Sequence, residues 1–239
     1  MDRLGVEYKE RQWIGVLGIF TIGRSVPRLN IRTGLVRSSI GNSPEILRYL
    51  WGAYAAEMGE RAKFLEPTPE RLELEKKLDR YGRDLQVWVY YHVLDYRDLT
   101  LHVWGRNSPT IPAWQRFLVI FLYPVLRFLL RKAFAINDRS YAKSVQNIES
   151  LLAGIESSLT DGGASILGDE AINYVDITFA SFSALWLAPP EFGREKADGV
   201  RVGRERAPAK MNVDIERWTE SYPLACEFVT RLYQTERKT

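Results

Sequence analysis

A stretch of twenty residues, Leu167 to Trp186, constrains the fold more than any other part of the chain. It combines a helix-start signal with a long uncharged run, because no charged residue follows Asp176 until Glu191. Asn173 can accept a hydrogen bond from a first-turn N–H, and Asp176 can reach back to the N-cap N–H. A helix that is apolar around its whole circumference must be buried on all sides. We therefore predict a buried central helix, with Asn173 and Asp176 as a capping box that serves folding rather than chemistry.

Composition narrows the class of protein. The chain has 239 residues, of which 46% are hydrophobic and 26% charged, as expected for a globular protein with a sizeable core. Its net charge of +3 is small and its basic residues are dispersed, so we expect no nucleic-acid partner. The single cysteine, Cys226, excludes an internal disulfide and is typical of a reducing compartment. Its apolar surroundings predict a buried, inert thiol.

Neither a metal site nor a secretion signal is predicted. The histidines His92 and His102 are too few for a histidine-rich site, and no Cys-x-x-Cys or His-x-x-x-His spacing occurs. His92 lies on an apolar helical stripe, which favours a hydrogen-bonded core histidine over a metal ligand. The first residues are charged and no apolar run follows them, so we expect no signal peptide and a cytoplasmic location.

The longest apolar segment covers residues 117–130. It is interrupted by Pro124 and carries Arg127, and its length of about 14 residues falls short of the roughly 20 that span a bilayer. We predict a buried core helix kinked at the proline, and we do not expect membrane association. A membrane-peripheral helix over residues 114–134 remains as an alternative.

The N-terminal part has a mixed α/β pattern. Residues 2–5 are typical of a helix end stopped by Gly5, residues 6–13 of a strand, and residues 14–24 of a loop. Residues 26–31 and 35–40 predict two strands joined by the three-residue loop Arg32-Thr33-Gly34. Ser43 then predicts the N-cap of a helix, with Pro44 in its first position.

These motifs resemble those of the glutathione S-transferase family. The N-terminal resemblance consists of Val26-Pro27-x-Leu29 and, after the hairpin, Asn42-Ser43-x-x-Ile46-x-x-Tyr49-Leu50, which are similar to the second half of the family's thioredoxin-like domain. The second resemblance consists of Gly168, Asp169, Asn173 and Asp176, which match the capping box of the family's sixth helix, with Asn in place of Ser or Thr. The resemblance extends over nearly the whole chain.

The resemblance implies a binding site for glutathione. In the family the proline is cis and the acidic-Ser pair at the helix start holds the γ-glutamyl group. By resemblance, Val26 and Pro27 would contact the peptide part, Ser43 the γ-glutamyl carboxylate, and Asn42 would replace the acid or glutamine. The N–H groups and dipole at a helix N-terminus suit a carboxylate. The alternative is a capped helix beside a tight turn, without a ligand.

The resemblance also implies that the family's first strand and its catalytic Ser, Tyr or Cys are absent from this chain. Neither Tyr8 nor Ser25 stands at the expected position, so the catalytic residue is unknown. The strand over residues 6–13 would then lose its ladder partner. We expect it to pair with the hairpin directly, to detach, or to be completed by another chain.

The rest of the chain predicts a helical bundle. Thr68 caps a long helix, residues 99–111 form a loop, and Asn137 or Asp138 caps a helix that ends at residues 161–163. Residues 194–210 form a charged surface loop, and residues 213–237 one last helix.

We predict a mostly α protein with a small α/β part, an incomplete thioredoxin-like segment docked on an all-α bundle like that of glutathione S-transferases. The domains are residues 1–58 and 68–239, with a linker at 59–67. The predicted function is conjugation or binding of glutathione at the cleft between the domains, with a small hydrophobic electrophile as second substrate and no covalently bound cofactor. A non-catalytic binding module is the alternative, and a homodimer is left open.

Overall fold

The computed structural model describes residues 1–17, 27–159, 163–192 and 201–236. The described chain is mostly helical with a small two-stranded antiparallel sheet, which confirms the coarse prediction of fold class. The strands are β1 (Arg28–Thr33) and β2 (Val36–Gly41). The α-helices are α1 (Ser43–Met58), α2 (Pro69–Val93), α3 (Arg97–Val103), α4 (Ala113–Ala133), α5 (Asp138–Ser158), α6 (Tyr174–Leu187), α7 (Ala209–Ser221) and α8 (Pro223–Thr235).

The N-terminal segment is not a strand. A 3-10 turn at Asp2–Leu4 ends at Gly5, whose φ of 69° is left-handed, and Leu4 is buried in the main core. Residues 6–14 have no regular structure, and the sheet of the described residues contains β1 and β2 alone. The strand predicted over residues 6–13 is therefore wrong, because a strand needs a ladder partner for its backbone groups and neither β1 nor β2 pairs with this segment. Of the loop predicted over 14–24, residues 15–17 form a helical turn and residues 18–24 lie outside the described chain.

β1 and β2 form the predicted hairpin with a shorter connection. Thr33 pairs with Val36, so only Gly34 and Leu35 link the strands, and the predicted three-residue loop is wrong. Gly34 has a φ of 59°, which two-residue hairpin loops require and which glycine adopts without strain. At the open end of the hairpin, Arg28 pairs with Gly41.

The main core lies between α2, α5, α6 and α8. α2 contributes Leu78, Leu85 and Trp88 to this core, and all three side chains are fully buried. The predicted caps of α2 and α5 are confirmed: the Thr68 hydroxyl accepts the Arg71 N–H at 3.4 Å, and Asn137 forms a reciprocal capping box.

α6 begins at the predicted capping box. The Asn173 side chain accepts the Val175 N–H at 2.9 Å, and Asp176 Oδ2 accepts the Asn173 N–H at 2.8 Å. Both capping side chains are fully buried. The prediction that α6 is buried on all sides is nevertheless wrong. Ser181 and Leu185 are exposed on the one face of α6 that the described residues leave uncovered.

α4 departs further from the prediction of a buried core helix. One face contributes Val119, Leu126 and Leu130 to a second, smaller core with residues 14–17 and α3, whereas its opposite face is exposed. The cause is that the smaller core covers only one side of the helix. By length and composition, α4 is the one helix of the described chain that could cross a membrane, and 28% of its most apolar window is buried.

Three predicted boundaries change. The first part of the loop predicted over residues 99–111 belongs to α3, which begins at Arg97, ends at Val103 and buries Leu101 in the smaller core. The last helix, predicted over 213–237, divides into α7 and α8 at Pro223, which lacks the N–H that a continuous helix needs. α1 begins at Ser43, so Asn42 rather than Ser43 occupies the N-cap position. The division into two domains stays a prediction.

Candidate functional site

The hairpin brings three of the four predicted glutathione-binding residues together. The pairing of Arg28 with Gly41 places Pro27 beside Asn42, and the Asn42 N–H donates to the Pro27 carbonyl at 3.1 Å. Ser43 follows as the first residue of α1, and all three residues are exposed. Val26 lies outside the described residues. We call Pro27, Asn42 and Ser43 the hairpin–helix corner.

The backbone of Asn42 is strained. Its φ of 73° and ψ of 136° lie where side chains other than glycine are rarely found. A residue held in such a region costs about 1–3 kcal/mol, and such residues cluster at ligand-binding positions. The hydrogen bond to Pro27 on one side and the start of α1 on the other fix this conformation.

The N-terminus of α1 has no side-chain cap. The Asn42 side chain makes no capping hydrogen bond, and Pro44 in the second position has no N–H to satisfy. Glu45 stands at N3, but the N-cap N–H that it would bond in a capping box is already held by the Pro27 carbonyl. The first turn therefore presents the Ser43 and Glu45 N–H groups at the positive end of the helix dipole, an arrangement that suits a small carboxylate ligand.

An ion pair ties α1 to the helical bundle. Arg48 contacts Glu75 of α2 and donates to the Tyr174 hydroxyl of α6 at 3.2 Å. Burial alone would lower the pKa of Arg48, but its hydrogen bonds to Glu75 and Tyr174 outweigh burial and raise it. Arg48 therefore stays cationic and fixes the orientation of the helix whose first turn forms the corner.

A separate cavity of about 720 Å³ lies between the first residues, α1, α6 and α8. Leu47 and Leu50 of α1 line it together with Thr178 and Ser181 of α6, but no residue of the hairpin–helix corner does. This cavity was not predicted from the sequence. The signal was Thr178 and Ser181, two hydroxyl residues three positions apart on one face of an otherwise apolar helix.

A buried carboxylate, Asp214 of α7, was also missed. Its oxygens accept hydrogen bonds from Tyr141 at 2.7 Å, Trp88 at 2.8 Å, Arg217 at 2.9 Å and His92 at 3.3 Å. Burial opposes its ionisation, but the hydrogen bonds from His92, Trp88 and Tyr141 and the charge of Arg217 hold the pKa of this carboxyl below its usual value. The prediction of His92 as a hydrogen-bonded core histidine is confirmed.

The Asp214 cluster organises the fold. It joins α2, α5 and α7 through one carboxylate, and Asp214 does not line the cavity between the first residues, α1, α6 and α8. A buried carboxylate whose partners are all protein groups contributes stability and leaves no position for a substrate.

Two side chains near the core have the wrong acidity for nucleophiles. Burial, followed by the charge of Glu156, raises the pKa of the Cys226 thiol to about 12, so almost no thiolate exists at neutral pH. The thiol is half-buried rather than buried as predicted, and its raised pKa agrees with the prediction that it is unreactive. Burial likewise raises the pKa of Tyr174 to about 12 although its bond to Arg48 lowers it in part.

No group of three metal-ligating side chains occurs within the described residues. Comparison of the whole chain with protein-family models, with curated proteins and with solved structures finds no significant match.

Proposed function

We propose that this chain is a glutathione S-transferase-like protein that binds glutathione at the hairpin–helix corner. The incomplete thioredoxin-like segment of the family would correspond to β1, β2 and α1, and its helical domain to the bundle around α6. The order of the motifs along the chain supports the proposal.

The observation that carries the proposal is the conformation of Asn42 beside an uncapped helix start. Folding alone would favour glycine at this φ and a hydrogen-bonding cap at this position. The chain has neither, since Asn42 is strained and its side chain makes no capping bond. A ligand carboxylate on the first-turn N–H groups would supply the missing cap.

The proposed binding mode uses the polarity of the corner. The γ-glutamyl carboxylate would accept from the first turn of α1, with Ser43 donating its hydroxyl, and the amide of Asn42 would face the γ-glutamyl amino group. The cysteinyl unit would lie along the backbone next to Pro27. A small hydrophobic electrophile would bind beside the corner, on the side of the helical bundle.

Binding without conjugation is the form that we favour. A transferase lowers the pKa of the glutathione thiol with a positioned hydroxyl or thiol donor. Cys226 and Tyr174 carry a thiol and a hydroxyl of the type that such a donor needs. Their pKa values are raised rather than lowered, and neither residue belongs to the corner. This difference supports a non-catalytic module over an enzyme.

A negative charge introduced at the corner tests the proposal. Ser43→Glu places a carboxylate where the ligand carboxylate would bind, and we expect it to weaken glutathione binding at least about tenfold in calorimetry because like charges repel at short range. The same change should leave the fold intact, since an acidic residue in the first turn stabilises a helix by about 0.3–1 kcal/mol. Ser38→Glu, on an exposed position of β2, is the matched control and should bind as the wild type does.

The outcomes separate the alternatives. Retention of the wild type on immobilised glutathione without conjugation of a chloronitrobenzene substrate supports the binding module. Turnover by this chain would overturn the assignment as non-catalytic, and absence of wild-type binding would overturn the site itself.

A further inference from the structure

The exposed face of α4 carries several large apolar side chains that the described residues leave uncovered. Phe121 is 83% exposed, Phe117 75% and Phe128 64%. Six of the fourteen large hydrophobic side chains that are exposed in the described residues lie on this helix: Trp114, Phe117, Phe121, Val125, Phe128 and Leu129. We call these six residues the α4 stripe. Contiguous apolar surface of this kind marks an interaction site.

The α4 stripe follows one side of the helix. Its members from Trp114 to Phe128 are separated by three, four, four and three positions, the spacing of a single helical face. Trp13 extends it, with its ring centroid 6.0 Å from that of Trp114. The α4 stripe is therefore continuous along the 21-residue helix.

The charges of α4 all have the same sign. The helix carries Arg116, Arg127, Arg131 and Lys132 and no acidic residue. Among the described residues, Asp95 pairs with Arg127 and Arg131 and offsets part of this charge. Aromatic side chains on one face with arginine and lysine beside them are typical of helices that lie in the interface of an anionic membrane.

The opposite face of α4 excludes a spanning orientation. The Tyr123 hydroxyl donates to the Leu94 carbonyl at 2.8 Å, and the Gln115 side chain accepts the Ile14 N–H at 2.9 Å. Crossing a bilayer would separate α4 from these partners. Lying flat on the surface buries the α4 stripe and keeps the smaller core intact.

A second copy of the chain fits this face less well. A two-fold pairing places the same surface on both subunits. The charged residues of α4 are all basic. An antiparallel pair would therefore bring Arg116 of one copy near Arg131 and Lys132 of the other. Anionic phosphate groups complement these charges, whereas a second α4 repels them.

We propose that α4 binds the surface of anionic phospholipid membranes, with the α4 stripe inserted among the acyl chains and its basic residues on the headgroups. This membrane contact is independent of the glutathione site, because α4 shares no residue with the hairpin–helix corner.

Vesicle flotation of the full chain tests the proposal. We expect binding to vesicles of phosphatidylglycerol and phosphatidylcholine, much less binding to phosphatidylcholine alone, and release by about 0.5 M salt, which shortens electrostatic interactions to a few ångströms. The double variant Phe117→Ser, Phe121→Ser should reduce the fraction bound at least about tenfold, because two phenyl groups no longer leave water.

Matched variants exclude general effects of surface polarity and charge. Val213→Ser removes an apolar side chain that is 58% exposed on α7 and should leave binding unchanged. Lys132→Glu should weaken binding to anionic vesicles several-fold, whereas Lys143→Glu, exposed on α5, should not.

Three results would overturn the proposal. The first is a wild-type chain that does not float with anionic vesicles, and the second is a double variant that floats equally well. The third is a wild-type dimer in sedimentation that the double variant abolishes without any vesicle binding, because the α4 stripe would then be covered by a second copy.

Discussion

α6 and α4 are both apolar helices, and our sequence analysis predicted both as buried, yet they belong to different regions of the molecule. α6 begins at a buried capping box and packs against the main core on most of its circumference. α4 begins at Ala113, after Pro112 and without a side-chain cap, and packs on one side only. Apolar composition is therefore not sufficient to predict burial. Of these two helices, the more buried one is the one whose start is fixed by reciprocal hydrogen bonds.

The largest expected difference between the two helices concerns their phenyl groups. Phe179→Ala in α6 removes a fully buried ring and should lower the free energy of unfolding by about 3–5 kcal/mol. Phe121→Ala in α4 should change it by less than about 0.5 kcal/mol, since that ring is 83% exposed. Urea titration measures both. A loss above about 1.5 kcal/mol for Phe121→Ala would break the comparison, because it would place the α4 stripe in a packed interface.

The capping box of α6 should rank second. Asp176→Ala leaves the buried N–H groups of Asn173 and Ile166 without acceptors, and each such group costs about 1–3 kcal/mol. We expect a loss of roughly 3 kcal/mol in chemical unfolding. Asn137→Ala, in the exposed capping box of α5, is the control and should cost only about 1 kcal/mol. Equal losses of unfolding free energy in the two variants would show that burial of the α6 capping box adds nothing to stability.

Acid should affect the main core more than the region around α4, which has no acidic residue on its helix. The folded pKa of Asp214 is lowered, so its contribution to stability is complete above the unfolded value of about 4 and is lost as pH falls through the lower folded pKa. Asp214→Asn should cost roughly 2 kcal/mol at pH 7, and its deficit relative to wild type should shrink below about pH 4. A deficit that stays constant down to about pH 2 would contradict this assignment.

The smallest expected effect concerns the closeness of the α2–α6 contact. A Cβ at Gly82 of α2 would lie 2.9 Å from the Phe182 ring of α6, whereas nothing lies within 4 Å of a Cβ at Gly154 of α5. Gly154→Ala should stabilise the fold by about 0.5–1 kcal/mol, because alanine loses less backbone entropy in a helix. Gly82→Ala should stabilise the fold less than Gly154→Ala does, or destabilise it. Thermal unfolding of both variants measures the difference. An equal gain at both positions would mean that α6 packs less tightly than the structure indicates.

Local signals were predicted well from the sequence. The caps at Thr68, Asn137 and Asn173 and the hairpin before α1 depend on residues a few positions apart, so their side-chain chemistry and spacing are sufficient. Pro223 was an equally local signal that our prediction of one last helix overlooked.

The candidate site was predictable in part. Proximity of Pro27 to Asn42 follows from any hairpin in the observed register, but the left-handed backbone of Asn42 and its unused side chain do not. Asp214 was not predictable, because its partners Trp88, His92 and Tyr141 lie more than 70 positions away in the sequence.

By itself the sequence determined where α2, α5 and α6 begin, that the fold is mostly helical, and that a hairpin precedes α1, because hydrogen bonds between near neighbours specify these features. Tertiary structure alone decided that residues 6–14 form no strand, that one face of α6 borders a cavity, and that the described residues leave the α4 stripe uncovered. Each of these depends on whether a distant segment covers a given face. That coverage is a property of the assembled layers, which the local pattern of apolar and polar residues does not contain.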